Sequence, residues 1–421
     1  MRPRTLGLVF ALTLAALVAA AVWMARPEPA ADTRLSLAEA MRSDTTGFAR
    51  AVDVRAFDFP RDHGPHPDFR TEWWYLTGNL DAARPDGTTE RVGVDLTIFR
   101  IALTPGDSVD GGVRSVGTDT AGWATRQMFM AHVGVTDAAG TRFVASERFS
   151  RGAAGLAGAR APSEGAPLRV WVEDWEIAEG AGGLGQGPSG LPTFRVRASA
   201  GRGDSLARFD LTLRAEKPPV LQGEAGLSQK GPAPGNASYY YSLPRLAATG
   251  TLTRGGRAAP VTGTMWMDRE WSTSALGPDE VGWDWFALHL ADGRDVMLYR
   301  LRRRDGTAAP LSKGSVSPAG GGPARRLALA EFALRPVETW TSPHSGARYP
   351  VAWEVAVPSE NLRLRVTAVL PDQELNVSVR YWEGAVDVTD AATGAPLGRG
   401  YLEMTGYGDE GRAARGTRAS G

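Results

Sequence analysis

Thr71-Glu72-Trp73-Trp74-Tyr75-Leu76-Thr77-Gly78-Asn79-Leu80 is dense in β-branched and aromatic residues, and residues 71–77 read as a β-strand entered from the turn-rich stretch Pro60-Arg61-Asp62-His63-Gly64-Pro65-His66-Pro67. The two-residue period of a strand puts Glu72, Trp74 and Leu76 on one face and Trp73, Tyr75 and Thr77 on the other. A carboxylate sharing a face with Trp and Leu is either paired with an arginine inside a barrel or held partly protonated by desolvation. Both readings stand for Glu72.

The same pattern continues to the end of the chain. Short apolar runs at residues 91–103, 127–136, 168–177, 193–200 and 207–215 are followed by a second set at 247–253, 259–268, 281–290, 295–302, 326–334, 351–357, 362–369, 374–381 and 398–405. Turn dipeptides such as Asp86-Gly87, Asp292-Gly293 and Asp305-Gly306 separate them, and no stretch carries a sustained helical period. With 51 Gly, 28 Pro and 13 Trp in 421 residues, a turn-rich all-β protein is expected. Residues 217–237 carry four prolines and four glycines and read as the connection between two strand-rich halves. The expected architecture is two tandem lipocalin-like (calycin) antiparallel barrels, at 58–240 and 241–410, with a disordered tail at 411–421. A pair of β-sandwiches is the alternative.

Residues 6–24 are mostly apolar, preceded by Arg2 and Arg4 and followed by Arg26 and two prolines. They read as an export segment, either a cleaved signal peptide ending near Ala19-Ala20-Ala21 or an uncleaved anchor, with residues 31–57 as a spacer. The bulk of the chain is then expected outside the cytoplasm. Its 47 Lys plus Arg balance 47 Asp plus Glu, which argues against a nucleic-acid partner. The absence of Cys removes disulfides, thiolate metal sites and thiol catalysis.

A second acidic and aromatic block, Trp266-Met267-Asp268-Arg269-Glu270-Trp271, is followed ten residues later by Gly282-Trp283-Asp284-Trp285-Phe286-Ala287-Leu288-His289. Alternation sets Asp284 with Phe286 and Leu288, and sets Trp283 and Trp285 with His289. Protonating an isolated alkene needs a water-shielded carboxylic acid, and the carbocation that results needs aromatic faces around it. Asp284, Asp268 and Glu72 are therefore the candidate acids, and Trp73, Trp74, Tyr75, Trp266, Trp271, Trp283 and Trp285 the candidate ligand-binding residues. An ion pair with Arg269 or Arg300 inside a barrel is the competing reading of these acids. No serine-hydrolase elbow, Walker loop or dinucleotide fingerprint is present, the loop histidines His63 and His66 make a weak metal motif, and no metal or other cofactor is expected.

These blocks, together with Phe129-Met130-Ala131-His132, Tyr239-Tyr240-Tyr241-Ser242 and Tyr381-Trp382-Glu383-Gly384, resemble the lipocalin-like family that includes the carotenoid 1,2-hydratases (hydroxyneurosporene synthases) and exported proteins labelled predicted secreted hydrolases. The resemblance runs from about residue 58 to 408. It implies two calycin-type barrels side by side and, for the hydratase branch, cofactor-free addition of water to a terminal isoprenoid double bond. The leading expectation is an exported protein that binds or carries an apolar isoprenoid or acyl ligand inside a barrel. The alternative is an enzyme of the same fold, a hydro-lyase or a lipid hydrolase. A third reading is a scaffold docking a membrane transport complex, since the family's members are often associated with exporter permeases.

Overall fold

The strand Thr71–Ala83 carries large side chains on both faces, so it needs a packed surface on each side. The computed structural model, which describes residues 35–36 and 45–408 apart from 106–125, 163–165, 185–189, 275 and 278, supplies both. The apolar segment at 6–24, expected to direct export, and the expected tail at 411–421 lie outside the described residues.

Thr71–Ala83 begins an up-and-down meander through Thr89–Ala102, Gln127–Asp137 and Arg142–Arg151. A second meander follows through Ala157–Arg160, Arg169–Val172, Trp175–Leu184, Pro192–Ala200, Ala207–Ala215, Ala237–Arg254 and Arg257–Ser272, whose last strand pairs antiparallel with Thr71–Ala83. The sheet thereby curls into a nearly closed barrel whose two edges are consecutive in the chain. The second sheet repeats the plan. Glu280–Leu290, Asp295–Arg303, Lys313–Ser317 and Arg325–Ala328 form one meander. Ala333–Thr341, Arg348–Val357, Leu362–Ala368, Val379–Asp390 and Pro396–Thr405 form the other, and Pro396–Thr405 closes onto Glu280–Leu290. Each barrel has its own apolar core, one including Trp74, Leu76, Met267 and Trp271, the other Phe286, Leu288, Trp353 and Trp382.

The expected all-β, two-barrel architecture is therefore present, but the sheets change over between Ser272 and Glu280, not near residue 240. The two strands after residue 237 belong to the first barrel. The Pro/Gly-rich segment is no free linker: Val220–Leu221 and Leu227–Gln229 add short pairings along Ala237–Arg254. Its Lys217 reaches Asp295 of the second barrel at 2.6 Å. Proline and glycine here shape a strap lying on a sheet, a role that composition does not distinguish from a connector.

Glu72 and Asp284 occupy corresponding positions, the inner faces of the two opening strands, and both are fully buried. Glu72 is ion-paired with Arg100, and with Arg269 at 3.1 Å; the Arg269 guanidinium lies 3.9 Å from the centre of the Trp74 ring. Burial alone would raise the Glu72 carboxyl, but these cations and His66 outweigh it and hold it well below the ordinary range. Asp284 is gripped by Arg300 at 2.6 Å and Arg302 at 3.0 Å, and accepts a hydrogen bond from the Tyr407 hydroxyl at 2.7 Å. Two of the three candidate acids thus sit in arginine clamps inside the barrels, which removes them from the catalytic set. Asp284→Asn should leave two buried cations without their counter-charge and destabilise the protein by about 3–5 kcal/mol in chemical denaturation. A variant as stable as the parent would contradict the clamp.

Candidate functional site

The residues alternating with the clamp point out of the barrels, and the two barrels meet on those outer faces. Tyr75, Trp266, Trp285, Tyr240 and Tyr299 pack there as one aromatic cluster, with Phe99, Met130 and Tyr381 in a second beside it. Hydrogen bonds cross between barrels: Asn79 Nδ2 to the Gly400 carbonyl at 3.0 Å, Thr136 Oγ1 to Gln373 Oε1 at 2.6 Å, and the Tyr401 hydroxyl to Asp95 at 3.2 Å. Among these contacts lies a cavity with about 950 Å³ of space free of protein atoms, part of it open to solvent. Trp73, Tyr75, Trp283 and Trp285 form aromatic walls, and Asp268, Glu270, Glu383 and Glu403 also face it. Ser274 and Leu276, from the crossover between the sheets, close one side. The cavity thus lies between the barrels, where the expectation put a ligand inside one; the interiors hold Trp74, Trp271 and the arginine clamps.

Asp268 stands opposite Tyr75 in the strand pairing and, unlike Glu72 and Asp284, forms no ion pair among the described residues. Three neutral donors hold it. Ser242 Oγ donates to Oδ1 at 2.5 Å, Trp266 Nε1 donates to the same oxygen at 2.7 Å, and the Tyr240 hydroxyl donates to Oδ2 at 2.5 Å. Trp285 Nε1 in turn donates to the Tyr240 oxygen at 3.2 Å. Burial dominates these hydrogen bonds and pushes the Asp268 carboxyl up to about 7.

The neighbouring acids behave alike. Burial raises Glu403 to about 8, although Trp283 Nε1 donates to it at 3.1 Å, and it raises Glu383 well above the ordinary range with the charges of Asp95 and Glu403 adding to the effect. Asp95, pushed up to about 7 by burial, accepts from the Gly134 N–H at 2.7 Å; a Cβ at Gly134 would meet its Oδ1 at 2.4 Å, so a side chain there would have to displace the carboxyl. Glu270 differs, being paired with Lys230 at 2.9 Å. Lys230 lies 4.9 Å from the centre of the Tyr299 ring and is held above its usual value by Glu270 against the opposing effect of burial.

Of the sequence-derived candidates, Asp268, Trp73, Tyr75, Trp283 and Trp285 come together on the cavity, and Trp266 supports Asp268 from behind. Glu72, Asp284, Trp74 and Trp271 do not. Trp74 carries Arg269, and Trp271 stacks on His66 with ring centres 3.6 Å apart. Sequence reasoning missed Tyr240, Lys230, Glu270, Glu383 and Glu403 as site residues. For Tyr240 and Glu383 a signal was present in the quoted motifs, because alternation sets Tyr240 opposite the inward-facing Tyr239 and Tyr241, and sets Glu383 opposite Trp382. Lys230 lay in a segment read as a connector.

An acid whose folded-state value exceeds its unfolded value binds more protons in the folded state, so its contribution to stability falls as pH rises. For Asp268 this window runs from the ordinary aspartate value of 3.8 to about 7. Across it, wild type should lose stability relative to Asp268→Asn at up to about 1.4 kcal/mol per pH unit. Parallel stability curves for the two proteins would mean that Asp268 is ionised throughout.

The model of the AttH-like family matches residues 50–407. The crystal structure of an AttH protein from Nitrosomonas europaea is similar with a TM-score of 0.69 at 33% identity, over 86% of this chain and 100% of that one. Kievitone hydratase from Nectria haematococca, at 16% identity, shares the fold with a TM-score of 0.56 over 86% of this chain and 96% of its own. No curated protein matches the sequence. With a family model spanning both barrels and the cavity between them, the chain belongs to the AttH-like family.

Proposed function

We propose that the protein is a cofactor-free hydro-lyase that adds water to, or removes it from, a double bond of an apolar isoprenoid-type molecule held between the barrels. The observation that carries this reading is Asp268: a carboxyl pushed up to about 7, in no ion pair among the described residues, on an aromatic-walled cavity. A carrier of the same ligand needs the aromatic walls but gains nothing from buried acids that resist ionisation. Kievitone hydratase, a protein of this fold, is by its name a hydratase, which supports the choice.

The hydrogen bonds around Asp268 suggest how a proton travels. Oδ1 already accepts from Ser242 and Trp266, so a proton taken up by the carboxyl sits on Oδ2, against the Tyr240 oxygen. That oxygen also accepts from Trp285, and with both lone pairs engaged its own hydrogen turns away from Asp268 and into the cavity. Tyr240 then gives its proton to the alkene carbon as Asp268 reprotonates it. The π-faces of Trp73, Trp283 and Trp285 stabilise the carbocation, water adds to it, and the proton released returns to Asp268 through Tyr240.

Asp268→Asn and Tyr240→Phe should each lower turnover by roughly 10²- to 10⁴-fold with little change in ligand affinity. The rate should fall with rising pH above about 7. Incubating a panel of isoprenoids in H₂¹⁸O and following incorporation of the label by mass spectrometry reads this directly. Turnover that survives Asp268→Asn would exclude the acid assignment, and binding with no turnover in wild type would leave the carrier.

We further propose that the protein acts outside the cytoplasm, on the strength of the apolar run between Arg4 and Arg26. Cell fractionation should recover it with the periplasm or membranes, and an unprocessed cytoplasmic chain would contradict this.

A further inference from the structure

Six large apolar side chains stay exposed among the described residues, Val52, Val54, Phe59, Leu103, Phe149 and Leu156, and all belong to the first barrel and the segment leading into it. Apolar side chains scattered singly over a surface are ordinary, but these are sorted to one end. Ser238, Ser272, Thr71, Ile101, Met128 and Arg151 form one continuous row of paired residues across the sheet. Leu103 and Leu156 follow that row in the chain and Phe149 stands just inside it. Val52 lies beside Gly235, which precedes Ser238; Val54 follows Asp53, whose carbonyl accepts from the Tyr239 hydroxyl at 2.9 Å; and the Phe59 ring is 4.9 Å from that of Tyr241. The turns at the opposite end, around residues 84–88, 138–141 and 255–256, carry none of them and are laced instead by ion pairs such as Arg84 with Glu90 at 2.6 Å and Arg254 with Asp137 at 2.7 Å. The cavity lies at the apolar end. Its lining takes in Thr71, Ser238 and Ser272 from the row and Ser274 and Leu276 beyond it, and reaches no deeper along these strands than Tyr75, Thr97 and Asp268.

We propose that this end of the first barrel rests on a lipid bilayer, so that the cavity takes up its apolar ligand from the membrane and not from water. The inference rests on the cavity being the ligand site and adds the surface from which that site is filled. The course of the chain favours lipid over a protein partner. The Ala49 N–H donates to the Asp68 carbonyl at 2.9 Å, and a Cβ on Gly47 would meet Pro105 at 2.8 Å. The first continuously described segment downstream of the apolar run at 6–24 therefore runs along the same end. Arg50, Arg126 and Arg151 are exposed there, where guanidinium groups can meet lipid headgroups, but Asp53 and Asp68 are exposed beside them. Contact is thus made first by apolar side chains and only secondarily by charge. An apolar ligand that crossed water to reach the cavity would have to leave the bilayer unprotected, and a mouth set against the membrane removes that step.

Residues 31–421 hold both barrels with their cores and lack the apolar run, so any binding of this chain to vesicles comes from the folded part. It should float with vesicles of mixed phosphatidylcholine and phosphatidylglycerol. Because the sequence contains no Cys, Leu103→Cys, Phe149→Cys and Ala139→Cys each accept a single nitrobenzoxadiazole label. The labels at 103 and 149 should brighten severalfold and shift to the blue on adding vesicles, while the label at 139, in a turn of the opposite end, should not respond. Leu103→Asp combined with Phe149→Asp should lower partition onto vesicles by about tenfold or more, and the labels keep the test decisive if that variant misfolds. Absence of vesicle binding, or an equal response at both ends, would overturn the proposal. So would a response at 103 and 149 to raised protein concentration or to lipid-free membrane protein but not to vesicles, which would assign the patch to a second copy or to another protein. Docking by a protein with no turnover would leave this inference standing and remove the hydro-lyase. Turnover of detergent-dispersed substrate by a protein that ignores vesicles would do the reverse.

Discussion

A carboxyl group taken out of water stays ionised only if a cation comes with it, and the distribution of arginines between the inner and outer faces of the two barrels decides what each buried acid here becomes. Inside the first barrel Arg100 and Arg269 converge on Glu72; inside the second, Arg300 and Arg302 converge on Asp284. These clamps occupy the space in which a lipocalin-type barrel would hold a ligand. On the outer faces the one cation among the cavity-lining residues, Lys230, is paired with Glu270, and Asp268, Glu383 and Glu403 are left to hold their protons.

The position of the cavity follows from the same alternation. Along Thr71–Ala83 and Arg257–Ser272, the residues between the clamp members are Trp73, Tyr75, Trp266, Asp268 and Glu270, too apolar and too rich in uncharged aromatic surface to face water. Burying them requires a second surface of the same kind, which Glu280–Leu290 and Pro396–Thr405 provide with Trp283, Trp285, Tyr401 and Glu403. Removing such side chains from water stabilises the contact by about 25 cal/mol per Å² of apolar area, and the hydrogen bonds that cross it fix its register. Where the two surfaces do not quite meet, a space with acid on its walls remains, part of it open to solvent.

Asp268 and Asp284 show how far residue-level reading reaches. Both lie in acidic and aromatic motifs, both fall on strands, and nothing local separates them. Glu72 owes its ion pairs to Arg100 on the next strand and to Arg269 nearly two hundred residues away, a pairing created only when the first and last strands of the barrel close on each other. Lys230 likewise reaches the site from a proline- and glycine-rich strap whose composition signals a connector. The changeover between barrels was misread for a related reason: Ala237–Arg254 and Arg257–Ser272 look like the start of a new set of strands, and they belong to the first barrel because they return to pair with its beginning.

What the sequence by itself determined is the class of the protein and which residues of a strand share a face. Turn residues and period-two alternation are local, so all-β character, the number of barrels and the separation of Glu72 from Trp73 and Tyr75, and of Asp284 from Trp283 and Trp285, could be read from the sequence, but not which face turns inward. The motifs likewise carried the family. Only the tertiary structure decided which acids are paired with arginine and which are buried without an ion pair, and that the aromatic-walled cavity lies between the barrels and not within one. Charge pairing and enclosure depend on distances between strands far apart in the chain, and local alternation carries no information about those distances.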